Sequence, residues 1–344
     1  MSWLNPLSSG DKEKSRPRWG MEPQARHQAL VEVLRMEAAG GVVPWVRVVE
    51  LALYHPILGY YQQDRVRVGK AAGTDFTTAT ALGPMFGELM ASAAETLVGD
   101  IKNYELVEVG AEPGQAHFAT VQARFKALKT FRLGTEPNFA GPTVLFANEL
   151  LDAQPFHRFI FQGGTWRELG VRVDGVVLTI ETLAEFSSAL ASEFAQALPS
   201  SEEGWILDVP LRAEVLVEKL LKTPWRGAVV FFDYGKTLAQ CLESAPAGTA
   251  RTYYQHQLAG NILERLGSQD ITCHILWDRL EALLGRHGFK SVRLDRQEAF
   301  WVKHAGAEME RIASTGDADA RGRLQALTHP AHFGAKFQVL HGIR

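Results

Sequence analysis

Apolar positions recur along the chain with two periods, and the switches between them mark out its elements. Spacing near 3.6 residues predicts helix; alternation or a short apolar run bounded by turn residues predicts strand. Between Gln24 and Val49 the spacing predicts two helices, the second opened by Pro44 at a first-turn position, where no N–H is needed. Leu82, Met85, Phe86, Leu89, Met90, Ala93 and Leu97 form the stripe of an amphipathic helix, and that stripe reads as core. Residues 104–109 read as a strand, Phe118, Val121, Phe125 and Leu128 as the buried face of a following helix, and residues 130–135 as a second strand. The run "PTVLFANELLDAQPF" opens as a buried strand and ends in polar residues. "FHRFIFQGGTWRELGVRVDGVVLTIETL" alternates and turns on Gly-Gly and Asp-Gly, which are hairpin signals. A helix at 213–222 precedes "GAVVFFDYG", a run of the kind found in parallel strands buried on both faces. Another amphipathic helix covers 276–287, with strand candidates in 290–301.

Strands alternating with helices, with polar residues collecting at strand C-termini, predict an α/β fold with a doubly wound sheet. Residues 1–24 are expected to be a mobile tail and 25–100 a helical N-terminal region carrying a loop at Asp75-Phe76. Residues 101–344 are expected to form the sheet core, with an antiparallel insertion at about 156–210.

Composition removes several classes. With 344 residues the chain can bury a large core, and a formal net charge of -3 lacks the basic excess of a nucleic-acid binder. Two cysteines, Cys241 and Cys273, cannot build a disulfide framework and lack metal-ligand spacing, so they read as buried thiols and no metal is predicted. The longest apolar runs fall well short of the ~20 residues a membrane helix needs. The first residues, "MSWLNPLSSGDKEKSRPRWG", show no signal-peptide core, and a cytoplasmic protein is the expectation.

Ligands of open α/β sheets bind beyond the carboxyl ends of the strands. Three such ends are polar here, at Glu108-Val109-Gly110, Asn148-Glu149-Leu150 and Asp233-Tyr234-Gly235. The turn "VGAEPG" holds only Gly110 and Gly114, too few for the dinucleotide fingerprint. S-adenosyl-L-methionine needs less: a Gly-containing first turn for its methionine end and ribose, and an acid after the second strand for the ribose hydroxyls. Glu136 is placed for the second task, although its Glu-Pro setting equally suits an ordinary turn.

Seven blocks then carry a resemblance: "ALYHPILGYYQ", "GTDFTTATALGPMFGELMA", "VEVGAEPG", "ANELLDAQPFHRF", "FFDYG", "GTARTYYQH" and "QDITCHILWDRL". In this order, from about residue 51 to 280, the chain resembles the MidA family of methyltransferases, which use S-adenosyl-L-methionine. The resemblance implies a Rossmann-like methyltransferase sheet with a helical N-terminal part and an inserted antiparallel β segment. It also implies methylation of arginine on a protein substrate, since the mitochondrial members are complex I assembly factors of that activity. Carried onto this sequence, the family's Gly-Asp-Phe loop falls on Asp75 and Phe76, followed by Thr78; its glycine-rich turn falls on Glu108, Gly110, Glu112 and Gly114. The Asn-Glu-x-x-Asp block falls on Asn148, Glu149 and Asp152, the Asp-Tyr-Gly on Asp233, and the downstream histidine on His256.

Two departures bear on activity. Glu112 stands at the middle glycine of the turn, and beside a methionine carboxylate at ~4 Å it would repel by roughly 4 kcal/mol at an effective dielectric of about 20. Facing the ammonium group instead, it would attract by as much, and the sequence leaves the sign open. Between Gly114 and Asn148 there is room for about one helix, one strand and a return, so a βα unit is expected to be missing. A guanidinium arrives protonated, and carboxylates must grip it; Glu149 and Asp152 are the candidates, with Asp75 second. Asn148, Glu108, Gly110, Glu112, Gly114, Glu136 and Thr78 are candidate cofactor contacts, and His256 is a candidate proton acceptor. The alternatives are a degenerate family member acting as a protein-binding assembly factor, or another nucleotide-dependent enzyme on the same sheet. The oligomeric state stays open, a homodimer being one option.

Overall fold

In the computed structural model, residues 21–63, 80, 83–111, 116–254, 257–329 and 337–344 are described. Helices α1 (Pro23–Ala38) and α2 (Trp45–Tyr54) flank a short strand β1 (Val42–Pro44), and α3 (Pro84–Val98) follows. β2 (Glu105–Val109), β3 (Ala127–Phe131) and β4 (Gly141–Asn148) begin the main sheet. β5 (His157–Gln162), β6 (Thr165–Asp174), β7 (Val177–Thr182), α4 (Ala189–Gln196) and β8 (Ile206–Val209) form the insertion. Then come α5 (Leu211–Lys222), β9 (Trp225–Asp233), β10 (Gly235–Lys236), α6 (Leu238–Ser244), β11 (Arg251–Tyr254), β12 (Gln257–Ala259), β13 (Asp270–Thr272) and β14 (Ile275–Leu276). The chain closes with α7 (Trp277–Arg286), β15 (Lys290–Arg296), α8 (Gln297–Thr315), α9 (Ala318–Thr328) and β16 (Gln338–Ile343).

The main sheet has six strands in the order β15-β16-β9-β4-β2-β3. β3, β2, β4 and β9 run parallel, and β16 enters antiparallel between β9 and β15. Alternate residues of the central strands supply two cores. Leu106, Val144, Phe146, Val230 and Phe232 pack under α3, α8 and α9, while Val107, Leu145, Val229 and Phe231 pack under α5 and α7. Burial on both faces explains why these strands read as apolar runs without alternation.

The insertion is an antiparallel sheet in the order β1-β6-β5-β8, with β7 added on β6. Its hairpin turns use Gly163-Gly164 and Gly175 with positive φ, the backbone state glycine takes without strain. β1 contributes an edge strand to this sheet, so the N-terminal helices are joined to the insertion as well as to the core.

One predicted helix is absent. Phe118, Val121 and Phe125 are buried, yet residues 117–125 form turns and a three-residue 3-10 helix at Gln122–Arg124, and Leu128 lies in β3. The predicted strand at 130–135 correspondingly starts earlier, at Ala127. The cause is close backbone contact with α3: a Cβ on Gly87 would stand 2.1 Å from the His117 carbonyl oxygen. Gly87 leaves room for this non-helical backbone to lie directly on α3. The apolar spacing served a compact loop capping the Phe86–Phe118–Phe146 cluster, whose ring centroids lie 5.2–6.3 Å apart.

Candidate active site

The sheet order reverses between β2 and β4, so the crevice beyond their C-terminal ends is the switch point where α/β sheets take ligands. Gly110 ends β2 with φ +84, and its N–H bonds to the Phe131 carbonyl at 2.8 Å, tying the ends of β2 and β3 together. A Cβ there would meet Leu150 Cδ1 at 2.6 Å, so the turn after β4 lies directly on the glycine turn after β2.

That second turn is built by Asp233. Its Oδ2 accepts the N–H of Leu151 at 2.9 Å and of Asp152 at 3.3 Å, and its Oδ1 accepts the N–H of Tyr234 at 2.8 Å. Glu149 has φ +48, a left-handed state uncommon for a non-glycine residue and worth roughly 1 kcal/mol of strain. The Glu149 N–H still reaches the Phe232 carbonyl at 2.9 Å, which fixes the strained residue against β9. The Asn148 amide donates from Nδ2 to Glu149 Oε1 at 3.0 Å, while its Oδ1 is buried without a hydrogen-bond partner.

Four carboxyls, Glu149, Asp152, Asp233 and Asp270, feel one another at this point. Burial, reinforced by the charges of Asp233, Asp270 and Glu149, pushes the Asp152 carboxyl well above the ordinary carboxylate range. Burial pushes Asp233 up to about 7, against the opposing pull of its backbone donors. Both shifts favour a proton held on the Asp152–Asp233 pair. Neither has a cationic partner among the described residues. Buried carboxylates are normally paired or neutralised; here the neutralising agent is a proton, which an arriving cation can replace.

Aromatic rings bound the cluster. Tyr54 donates its hydroxyl to the Ala153 carbonyl at 2.8 Å, and Tyr61 donates to Asp270 Oδ1 at 3.0 Å. The two rings stack at 5.4 Å, and Tyr234 packs on Phe337 at 4.1 Å. Tyr54, Tyr61 and Asp270 were absent from the residues selected in the sequence, although all three sit inside the quoted blocks "ALYHPILGYYQ" and "QDITCHILWDRL". Those blocks were the available signal.

The described contacts join Gly110 to the turn after β4 and tie Asn148, Glu149, Asp152 and Asp233 into that turn, while Glu108 and Glu136 have partners of their own. Glu108 is buried on the α3 side of β2, where its Oε1 lies 2.9 Å from His117 Nε2. Glu136 lies five residues beyond the end of β3, and its largely exposed carboxylate pairs with Lys219 at 2.6 Å. Asp75, Thr78, Glu112, Gly114 and His256 lie outside the described residues.

The donor set of the crevice can be matched to S-adenosyl-L-methionine. A left-handed glycine at the first turn and an orphaned amide oxygen at Asn148 suit a ligand that carries hydroxyls and an ammonium. The residues fit.

Residues 75–294 match a family described as "Putative S-adenosyl-L-methionine-dependent methyltransferase". A curated relative, the zebrafish (Danio rerio) mitochondrial protein arginine methyltransferase NDUFAF7, is 24% identical over 83% of this chain and 80% of its own. A COG1565 superfamily protein from Burkholderia thailandensis, crystallised with S-adenosyl-homocysteine, is 24% identical with a TM-score of 0.80, covering 96% of this chain and 95% of that one. A native crystal structure from the same organism and superfamily gives 23% identity and a TM-score of 0.78 over the same shares.

Proposed function

This chain belongs to that family of methyltransferases dependent on S-adenosyl-L-methionine, and from this premise we propose that it methylates arginine on a protein substrate. The observation that carries the acceptor assignment is the carboxyl group cluster of Glu149, Asp152, Asp233 and Asp270, in which Asp152 and Asp233 have no cationic partner among the described residues. The name of the zebrafish relative supports the same acceptor.

The cofactor supplies a methyl group activated on a sulfonium. Gly110 and Asn148 would hold it, the first by leaving the backbone open beside β2, the second through its unpartnered Oδ1. Glu149 and Asp152 grip the guanidinium in a charge-assisted contact and aim one nitrogen toward the crevice. An arginine titrates far above neutral pH and enters protonated, so its charge can replace a proton held on the Asp152–Asp233 pair. Asp233 acts as a positioning residue throughout, since its carboxyl holds the backbone of Leu151 and Asp152 in place. Holding both reactants in line supplies much of the acceleration.

A second reading is favoured by the β2–β3 connection, which lacks an α-helix among the described residues, and by the engagement of Glu136 with Lys219. On that reading the chain is a protein-binding assembly factor without turnover. Incubation with methyl-labelled cofactor and arrays of arginine- and lysine-containing peptides separates the two. Label on arginine, reduced about 10–100-fold by Glu149→Gln with cofactor affinity unchanged, is expected, since a hydrogen bond to a charged group is worth ~1.5–3 kcal/mol. Label on lysine overturns the acceptor assignment, and absence of cofactor binding in calorimetry leaves the assembly role.

A further inference from the structure

A second cluster of chemically capable side chains lies away from the crevice, where α8 crosses the β15–β16 edge of the main sheet. His341 on β16 sets its Nε2 2.9 Å from Asp295 Oδ2 on β15. His304 on α8 stacks edge-on to His341 with centroids 4.9 Å apart. His304 is only 8% exposed, and both of its ring nitrogens lack a hydrogen-bond partner. One ligand atom from each of the three residues lies within 4.8 Å of the others.

An orphaned buried imidazole is costly, because both nitrogens have given up water for nothing. The backbone around it is arranged to keep it there. Ala305, the next residue, leaves helical geometry at φ -130 and ψ 21, and the His304 carbonyl is instead taken by the Thr96 hydroxyl at 2.7 Å. Kinks in helices have local causes, and this one fixes the imidazole facing the β15–β16 edge. From these observations we infer that Asp295, His304 and His341 form a binding site for a borderline transition-metal cation such as Zn²⁺.

Two imidazoles and one carboxylate are a donor set that zinc accepts and that calcium and magnesium do not favour. Zinc bonds of about 2.0–2.2 Å at tetrahedral angles place donor atoms roughly 3.3 Å apart, so Asp295 and His341 are already near the required spacing. His304 closes the remaining distance, and a water completes the fourth position. The Asp295 side chain is 23% exposed and gives the ion a way in. Lys303 opposes the ion: its Nζ lies 3.8 Å from Asp295 Oδ2, on a side chain 54% exposed that can swing into solvent. Arg293 pairs in register with His341 and adds a second positive charge nearby. Once bound, the ion ties α8 to β15 and β16.

Calorimetric titration of the full chain, stripped with chelator, with Zn²⁺ tests the site, together with Co²⁺ absorption. One equivalent of Zn²⁺ and a tetrahedral Co²⁺ spectrum are expected. His304→Ala and His341→Ala should remove both signals, Asp295→Asn should weaken binding roughly tenfold or more, and Lys303→Gln should tighten it. If the histidine variants fail to fold, the Asp295 and Lys303 variants decide, because both positions are partly exposed. Absence of stoichiometric binding, or binding indifferent to Asp295→Asn and Lys303→Gln, overturns the site and assigns any residual affinity to Cys241, Cys273 or another group.

Discussion

Replacing Asp152 by asparagine tests the shared proton at the centre of the crevice. The Asp152 carboxyl is raised well above its usual range by burial and by three neighbouring acids, so the folded protein keeps a proton that the unfolded chain releases. A raised folded pKa gives a contribution to stability that is complete below the ordinary carboxylate value and is lost as pH climbs toward the folded one. Each pH unit over which one extra proton is held is worth about 1.4 kcal/mol. From the ordinary carboxylate range upward the pair therefore loses stability as the pH rises, through about pH 7 where Asp233 titrates. Asparagine keeps the shape of a protonated carboxyl and can still donate to Asp233, so Asp152→Asn should match wild type at about pH 4 and exceed it at about pH 7. Urea unfolding at the two pH values reads this difference. Parallel losses of stability in the two proteins would refute the shared proton.

Gly110→Ala forces a left-handed alanine and a contact with Leu150 Cδ1 at 2.6 Å, so unfolding in urea should show a loss of roughly 1–3 kcal/mol together with weaker cofactor binding in calorimetry. Glu136→Ala removes only an exposed pair with Lys219 and should leave stability within about 0.5 kcal/mol; a drop in cofactor affinity in the same variant would place the carboxylate on the ribose.

The central strands were legible because parallel strands covered on both faces must be apolar throughout, as in the runs ending at Asn148 and Asp233. The hairpins of the insertion were legible through glycine pairs that turn without strain. The chain beyond β15 was not. α8 buries Phe300, Trp301, His304, Ala305 and Ile312 but exposes Val302 at 63%, and its kink at Ala305 shifts the apolar stripe midway. A helix whose period is reset by tertiary contact from Thr96 gives a weak periodic signal. β16 places a histidine and a glycine among its buried positions, because it lies antiparallel between two strands and packs on close neighbours. The tyrosines of the crevice were hidden for another reason: the contacts from Tyr54 to Ala153 and from Tyr61 to Asp270 span 99 and 209 residues.

The case of Glu108 shows what strand parity adds to chemical grouping. Three acidic strand ends at one edge of a sheet invite a single site, yet side chains alternate between faces. Glu108 shares its face with Leu106, under α3, and Phe146 lies opposite it in register on β4. Asn148, two residues further along β4, points to the same face, whereas Asp233 follows Phe232 and so leaves β9 toward the other. Parity alone thus keeps the carboxylates of Glu108 and Asp233 apart. The acids that do meet, Glu149 and Asp152, lie past the last paired residue of β4, where a left-handed backbone and the hydrogen bonds of Asp233 replace the pleat as the source of direction. Function at this edge therefore depends on the turn and on the acid that builds it. A change at Asp233 should misplace Glu149 and Asp152 together, while one at Glu108 should act through the packing of His117 against α3.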